Sequence, residues 1–237
     1  EKGYIFDRDG ARWFRSELLE DAKDIVVIRS EGLGPTYFGT DIAYHYDKFV
    51  TRGFDQVINV LGADHHGHVG RMRAAVDALG IEAERFTCIV NQIVSFKRGG
   101  ESVRLSKRKG DVVTVRALVD EIGTDACRYF YMNRTPDSHF EFDLDLATDQ
   151  SSENPVYYVQ YAHARICSML RAASKRDIDF SVGDLSLLRH PKELALIREI
   201  IELPEVVALA AKRTEATPIP HYAYELARAL AAFYDSR

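Results

Sequence analysis

The sequence is poor in cysteine and has no long apolar run. Its 237 residues include only three cysteines, at positions 88, 127 and 167, and no Cys-x-x-Cys spacing. This pattern argues against a disulfide framework and against a cysteine-based zinc site, and it favours free thiols in a reducing compartment. No apolar stretch approaches the roughly 20 residues that a membrane-spanning helix needs. We therefore expect a cytoplasmic protein that does not associate with membranes.

The standard glycine-rich phosphate-binding patterns are also missing. Neither Gly-x-x-x-x-Gly-Lys-Ser/Thr nor Gly-x-Gly-x-x-Gly occurs in the sequence, so a nucleotide site would have to use another arrangement. The net charge of −5 means that any contact with nucleic acid must depend on local basic patches. With 46% apolar and 28% charged residues, the composition suits a globular protein of one large domain or two small ones.

A strand, a turn and a helix are predicted between Val57 and Leu79. The apolar run 57–61 predicts a strand that is buried on both faces and ends at Gly62. Asp64 is placed to cap the helix that follows. Free backbone N–H groups at such a turn can bind a ligand, so we expect Gly62 to allow its close approach and Asp64 to accept two ribose hydroxyls. The same pattern also occurs as a plain helix cap.

An amphipathic helix is predicted over Thr36–Phe49. Its apolar stripe consists of Phe38, Ile42, Tyr46 and Phe49, and its opposite face carries Tyr37, Asp41, Tyr44, His45 and Lys48. A carboxylate one turn from a tyrosine can bind a guanidinium or an ammonium group through charge-assisted hydrogen bonds. The alternative is an ordinary solvated helix face.

Basic residues are concentrated between Lys97 and Gly110. This segment has six basic residues, one acidic residue and three glycines, which predicts a mobile loop. Such a loop can close over a polyphosphate and neutralise the charge that develops during displacement. A solvated loop or a nonspecific nucleic-acid patch is the alternative.

The remaining patterns predict further short elements. These are a hairpin over 4–15, a buried strand over 24–30, a strand or strand pair over 86–96, helices over 114–122 and 125–133, and a half-buried strand over 138–146. The last strand carries His139, Glu141, Asp143 and Asp145. Alternate residues of one strand rarely converge on an ion, so we predict no metal site there.

A domain boundary is predicted near Gln150, followed by helices to the end of the chain. Asn154 and Pro155 begin a long helix, whose residues Val156, Val159, Ile166, Met169 and Leu170 are expected to pack inward. The other face carries Tyr157, Gln160, Tyr161 and Arg165, a mixture of aromatic and donor groups suited to binding RNA or to covering a neighbouring domain.

Five segments in order along the chain resemble bacterial arginyl-tRNA synthetases, which are class I aminoacyl-tRNA synthetases. The segments are Pro35–His45, Gly62–His66, Arg104–Gly110, Asp143–Leu146 and Asn154–Arg165. The resemblance implies an α/β Rossmann-type catalytic domain, here its C-terminal half over 1–150, followed by an all-α anticodon-binding bundle over 151–237. It also implies an ATP-dependent ligase that forms arginyl-adenylate and transfers arginine to tRNA(Arg).

The resemblance assigns roles to particular residues. Asp41 and Tyr37 match the positions that hold the arginine guanidinium, and His65 is expected to line the arginine or adenosine pocket or to be a packing histidine. Gly62 and Asp64 resemble the turn that binds the ATP ribose. The segment 104–108 resembles the Lys-Met-Ser-Lys-Ser loop, so Arg104, Ser106 and Lys107 are expected to be catalytic, with Lys107 stabilising the pyrophosphate leaving group. Mg²⁺ would accompany ATP as part of the substrate.

One class I signature is missing. The tetrapeptide His-Ile-Gly-His does not occur, and the last helices of the anticodon domain are expected to be truncated. We therefore expect an internal fragment, monomeric and inactive in isolation. The alternatives are a related class I synthetase for another amino acid and a non-catalytic RNA-binding fragment.

Overall fold

The protein is described from a computed structural model covering residues 3–16, 23–30, 34–103, 114–179 and 181–236. The chain divides into two compact units, Glu1–Ile93 and Val94–Arg237. The boundary predicted near Gln150 therefore lies inside the second unit, and the division into 1–150 and 151–237 stays a prediction about domains.

The first unit begins with a three-stranded antiparallel sheet. Strands β1 (Ile5–Arg8), β2 (Ala11–Phe14) and β3 (Ile25–Ile28) lie in that order. Asp9 and Gly10 join β1 to β2 with φ values of 51° and 71°, the left-handed pair that a tight hairpin turn requires. The predicted hairpin is confirmed. The prediction of a buried third strand is wrong for most of β3, because only Val27 is buried.

Helix α1 (Tyr37–Tyr46) packs closely on β3 and continues into a π-helical turn, Asp47–Thr51. The Thr36 side chain accepts a hydrogen bond from the Gly39 backbone N–H at 3.1 Å and caps the helix. A β-carbon on Gly39 would lie 2.2 Å from the carbonyl oxygen of Val27. Glycine is therefore required at position 39 for this contact between helix and sheet.

A parallel strand pair with a connecting helix completes the first unit. Strands β4 (Val57–Gly62) and β5 (Phe86–Asn91) are joined through a 3₁₀ turn, Ala63–His65, helix α2 (His66–Ala78) and a second 3₁₀ turn, Ala83–Arg85. The core of this unit consists of side chains from both sheets and both helices, including Phe14, Phe38, Phe49, Val57, Met72, Val76 and Phe86.

Strand β4 is buried on one face only, so the prediction of burial on both faces is wrong for the described chain. Val57 lies in the core, whereas Ile58 and Val60 are exposed, Val60 to 64%. Successive strand residues point to opposite faces, and the helices cover only the face that carries Val57.

The second unit begins with a three-stranded mixed sheet covered by helices. Strands β6 (Val94–Arg98), β7 (Glu101–Val103) and β8 (Phe140–Asp143) lie in the order β7-β6-β8. Helices α3 (Val115–Ile122) and α4 (Thr124–Met132) lie between β7 and β8 in the chain, and α5 (Leu144–Thr148) follows β8. Their shared core includes Phe96, Leu118, Phe130 and Phe142.

Two predictions about this sheet are wrong in part. The basic segment predicted to be a mobile loop starts as the ordered hairpin of β6 and β7. The strand predicted over 138–146 is shorter, because the Asp143 side chain accepts a hydrogen bond from the Leu146 backbone N–H at 3.0 Å and begins helix α5.

In the rest of the second unit, the described residues form the α-helices α6 (Pro155–Ser174), α7 (Pro191–Ile201), α8 (Leu203–Arg213) and α9 (Pro218–Asp235) and a 3₁₀ turn, Leu185–Leu187. The first three all contact α9. Asn154 caps α6 as predicted. Ile166, Met169 and Leu170 were predicted to pack inward but are exposed, because α9 covers only part of the α6 surface. None of the helices in the described ranges has the length and apolarity to cross a membrane.

Candidate functional site

Tyr37 and Asp41 lie one turn apart on α1. The Asp41 side chain is partly exposed, and Tyr37 is 89% exposed. Tyr37 also lines an open groove of about 500 Å³, together with Trp13, Phe38 and His68. The two predicted arginine-binding residues therefore face accessible space, as a ligand requires.

The Asp41 carboxylate has a partner that the sequence did not indicate. His68 on α2 places its Nε2 atom 2.9 Å from Asp41 Oδ2. A carboxylate only accepts hydrogen bonds, so Nε2 carries the proton and donates it. The edge of the His68 ring contacts Phe38, with 5.8 Å between ring centroids. The pairing joins two helices that are far apart in the sequence, and no local pattern predicts it.

His45 does not belong to the accessible face on which it was predicted. It is only 3% exposed. Its Nδ1 atom lies 2.7 Å from the backbone oxygen of Asp41, and its Nε2 atom lies 2.9 Å from the side-chain nitrogen of Asn59 on β4. The carbonyl needs a donor and the amide needs an acceptor, so the ring is neutral with its proton on Nδ1. Burial lowers the pKa of His45 in spite of these hydrogen bonds.

The predicted ribose turn lies at the carboxyl end of β4. Gly62 is the last residue of the strand, and Asp64 and His65 are exposed in the 3₁₀ turn before α2. A β-carbon on Gly62 would lie 2.6 Å from Asp64 Oδ1, so the glycine makes room for this carboxylate. His65 Nε2 lies 3.7 Å from Asp64 Oδ2.

The prediction that Asp64 caps α2 is wrong. The N-cap residue is His65, whose side chain makes no capping hydrogen bond, because the 3₁₀ turn moves the start of the helix beyond Asp64. The His66 backbone N–H donates to the Ala63 carbonyl within the turn. The positive N-terminal end of α2 and the exposed Asp64 carboxylate remain accessible to a ligand.

Arg104, Ser106 and Lys107 lie outside the described residues, and their catalytic assignment stays a prediction. The hairpin that precedes them is held at two points. Lys97 Nζ lies 3.2 Å from Asp143 Oδ2, and the Gly99 backbone N–H donates to Asp145 Oδ2 at 2.5 Å. The Leu146 backbone N–H and then Lys97 lower the pKa of Asp143.

The four residues predicted to bind tRNA lie along α6. The rings of Tyr157 and Tyr161 are stacked with centroids 6.4 Å apart. The Arg165 guanidinium lies 5.4 Å from the Tyr161 ring and 3.9 Å from the ring of Tyr234 on α9. Tyr161 and Tyr234 are exposed. Tyr234 joins this surface through tertiary packing, and the sequence did not indicate it.

Gln160 is exposed but already has a polar partner. Its side-chain nitrogen donates to Asp125 Oδ2 at 3.1 Å, and both residues line a pocket of about 420 Å³ beside Tyr157. Gln160 therefore has an internal partner that RNA would have to replace.

Across the described ranges, the His, Cys, Asp and Glu side chains form no group of three that could hold an ion.

Comparison with known proteins first indicates the class. Residues 159–237 match the DALR anticodon binding domain, so this part of the chain is similar to a class of anticodon-binding domains.

The similarity over the whole chain is to arginine–tRNA ligases. The protein of that name from Dehalococcoides mccartyi is 54% identical over 231 residues, covering 98% of this chain and 41% of the relative. The one from Heliobacterium modesticaldum is 51% identical over 239 residues, covering 98% and 42%. The chain thus spans less than half the length of the curated relatives it matches.

Solved structures give the same result. A crystal structure assigned as an arginyl-tRNA synthetase from Campylobacter jejuni has a TM-score of 0.89 and 36% identity, covering all of this chain and 51% of the other. The Thermus thermophilus arginyl-tRNA synthetase has a TM-score of 0.78 and 21% identity, covering 99% and 48%, and it supports the fold. The resemblance predicted from the sequence is confirmed.

Proposed function

We propose that this chain is a segment of an arginine–tRNA ligase, which activates L-arginine with ATP and transfers it to tRNA(Arg). The observation that carries the proposal is the 54% identity over 98% of the chain. The chain's own geometry supports it independently, because an accessible carboxylate, a ribose-type turn and an aromatic helix face are all present among the described residues.

Arginine is held at α1. The substrate guanidinium donates hydrogen bonds to the Asp41 carboxylate, a charge-assisted contact that is stronger than a neutral one. The exposed Tyr37 ring one turn earlier is available to cover the flat guanidinium. His65 belongs to the same proposal as a residue near the arginine or adenosine. Its exposure favours this role over that of a packing histidine.

ATP is held at the turn between β4 and α2. Gly62 gives the ligand access to the backbone, Asp64 accepts the ribose hydroxyls, and the positive end of the α2 dipole favours the phosphates. Mg²⁺ arrives with ATP and is part of the substrate. The parallel pair β4 and β5 with its connecting helix supports a Rossmann-type domain. The exposed face of β4 is suited to packing against further secondary-structure elements of such a domain.

Arg104, Ser106 and Lys107 act on the pyrophosphate. Their proposed role rests on the sequence, where Lys107 takes the place of the second lysine in the class I loop. A cation there stabilises the charge that grows on the leaving group, so it lowers the barrier to adenylate formation.

The tRNA contacts α6 through Tyr157, Gln160, Tyr161 and Arg165. Exposed aromatic rings can stack on unpaired bases, and the match of residues 159–237 to an anticodon-binding domain supports this surface. We further propose that the protein acts in the cytoplasm as a monomer, where tRNA is charged for protein synthesis.

Two other functions predict different results. A class I synthetase for another amino acid would have no use for a carboxylate aimed at a guanidinium, so its amino-acid affinity would not depend on Asp41. A non-catalytic RNA-binding fragment would bind tRNA with a steep salt dependence and without any response to arginine.

The proposal is tested by ATP-dependent charging of tRNA(Arg) by the full-length protein, with each amino acid in turn. We expect arginine alone to be attached, and attachment of a different amino acid would reject the proposal. The isolated 237-residue chain should form no adenylate, because it lacks the His-Ile-Gly-His signature. Adenylate formation by the isolated chain would contradict this second part only.

A further inference from the structure

We propose that His68 is a positioning residue for Asp41, which fixes the carboxylate in the orientation that a guanidinium needs and so favours arginine over lysine. The inference rests on the proposed function. Its starting point is the 2.9 Å contact between His68 Nε2 and Asp41 Oδ2, which links the helix of the ribose turn to the helix of the arginine site.

The imidazole is itself held in place. Its ring edge contacts Phe38, at an interplanar angle of 82°, and Phe38 is a buried core residue. The His68 side chain is less exposed than that of Asp41, 24% against 40%. A less exposed ring that packs on the core therefore holds a more exposed carboxylate, as a positioning residue must do.

The contact uses only part of what the carboxylate offers. An ionised carboxyl group has about four acceptor sites on its two oxygens. The His68 N–H occupies one of them on Oδ2, and among the described residues no hydrogen bond to Oδ1 is found. Oδ1 and the second site on Oδ2 therefore stay available to a substrate cation.

The orientation of the carboxylate matters more for arginine than for lysine. A guanidinium donates two parallel N–H bonds in one plane, and it binds best when both carboxylate oxygens lie in that plane. An ammonium is a compact point charge with freely rotating donors, so it gains little from a fixed plane. Restraining the rotation of Asp41 thus raises the preference for arginine.

His68 also lies beside accessible space. It lines the same open groove of about 500 Å³ as Tyr37, and its partner Asp41 is itself partly exposed. This arrangement distinguishes His68 from His45, which contacts Asp41 only at its backbone oxygen and is buried.

The test uses tRNA charging by the full-length protein with four variants, His68→Ala, His68→Gln, Asp41→Asn and the control His66→Ala, an exposed residue of the same helix. We expect His68→Ala to raise the KM for arginine about tenfold, the effect of losing one hydrogen bond to a charged group. The KM for ATP should not change. The ratio of the inhibition constant of lysine to the KM of arginine should fall, since lysine needs the fixed plane less.

Glutamine can place an amide N–H near the position of Nε2, so His68→Gln should restore most of the arginine affinity, and His66→Ala should behave like the parent protein. Two results would overturn the role of His68 and leave the proposed function standing. One is an equal loss of arginine affinity in His68→Ala and His68→Gln. The other is an unchanged arginine KM in His68→Ala when Asp41→Asn weakens arginine binding. An unchanged arginine KM in Asp41→Asn would instead reject Asp41 as the arginine site, and charging of tRNA with a different amino acid by the parent protein would reject the proposed function. Thermal melting of each variant identifies a folding defect. The ratio of the lysine inhibition constant to the arginine KM then distinguishes such a defect from a loss of positioning, which lowers the ratio.

Discussion

His45 on α1 and Asn59 on β4 are joined by a hydrogen bond of 2.9 Å in the interior of the first unit. The imidazole is also placed edge-on to Phe86 of β5, with 5.2 Å between centroids. This one ring connects the helix that carries Asp41 to both parallel strands. The ring can make these contacts only in its neutral form. A proton on Nε2 would be a donor that faces another donor, the amide N–H of Asn59.

Stability of the first unit should therefore fall in mild acid. Burial lowers the pKa of His45 below its usual 6.5 in the folded state, so below pH 6.5 the unfolded chain binds more protons at this site than the folded chain does. The free energy of unfolding then decreases as the pH falls through 6.5 toward the folded pKa. Urea denaturation at several pH values between 7.5 and 5.5 measures this decrease in the free energy of unfolding.

A matched pair of variants identifies the histidine responsible. Replacing His45 with glutamine should flatten the pH dependence in this window while lowering stability at pH 7.5. Replacing the exposed His66 with glutamine should leave the slope unchanged. An undiminished slope in His45→Gln would show that another group is responsible.

Asp143 should stabilise the second unit in a lower pH range. Its pKa is lowered by the Leu146 backbone N–H and by Lys97, so its contribution is complete above its usual value of 3.8 and is lost as the pH falls through the lowered folded value. At neutral pH, Asp143→Ala should cost about 1 kcal/mol through loss of the helix cap. Asp143→Asn should cost less, because asparagine also caps helices and only the pair with Lys97 is lost. Equal costs in chemical denaturation would contradict the capping role.

Two helical glycines should respond in opposite directions to alanine. At Gly39 the new β-carbon would collide with the Val27 carbonyl, so Gly39→Ala should destabilise the first unit by about 2 kcal/mol or more. At Gly67 a β-carbon meets nothing within 4 Å, and Gly67→Ala should stabilise by about 0.5 to 1 kcal/mol. Thermal melting of the two variants checks both signs. If Gly39→Ala left the melting temperature unchanged, α1 would have to lie farther from β3 than it does in this structure.

Tyr161 should contribute to tRNA affinity without contributing to folding. It is exposed and stacked on Tyr157, so Tyr161→Ala should weaken binding of tRNA(Arg) by about 1 kcal/mol or more, the typical loss for one stacked base. Leu170→Ala is the control, since Leu170 is exposed on the opposite side of α6. Filter binding at fixed salt measures both, and equal weakening by the two variants would argue against a specific RNA surface.

Features that depend on neighbouring residues in the sequence were predictable. The Asp9-Gly10 turn and the caps at Thr36 and Asn154 each need only a few adjacent residues. The placement of Asp41 and Tyr37 on one accessible helix face also follows from helical spacing.

Features that depend on tertiary packing were not predictable. The sequence put His45 on an outer face because its helical position allows it, but β4 supplies Asn59 and closes over the ring. His68 is one of three histidines between positions 65 and 68, and only the approach of α2 to α1 selects it. Ile58 and Val60 look like interior residues, yet the described elements cover one face of β4 only.

The most direct test of the account is calorimetric titration of the full-length protein with L-arginine, for the parent, Asp41→Asn and the control Asp77→Asn, an exposed carboxylate on α2. We predict saturable arginine binding in the parent and in Asp77→Asn, and a loss of at least tenfold in Asp41→Asn, because the neutral amide gives up the charge-assisted bonds. Arginine binding of equal strength in all three proteins would contradict the assignment of Asp41 and, with it, the proposed arginine site.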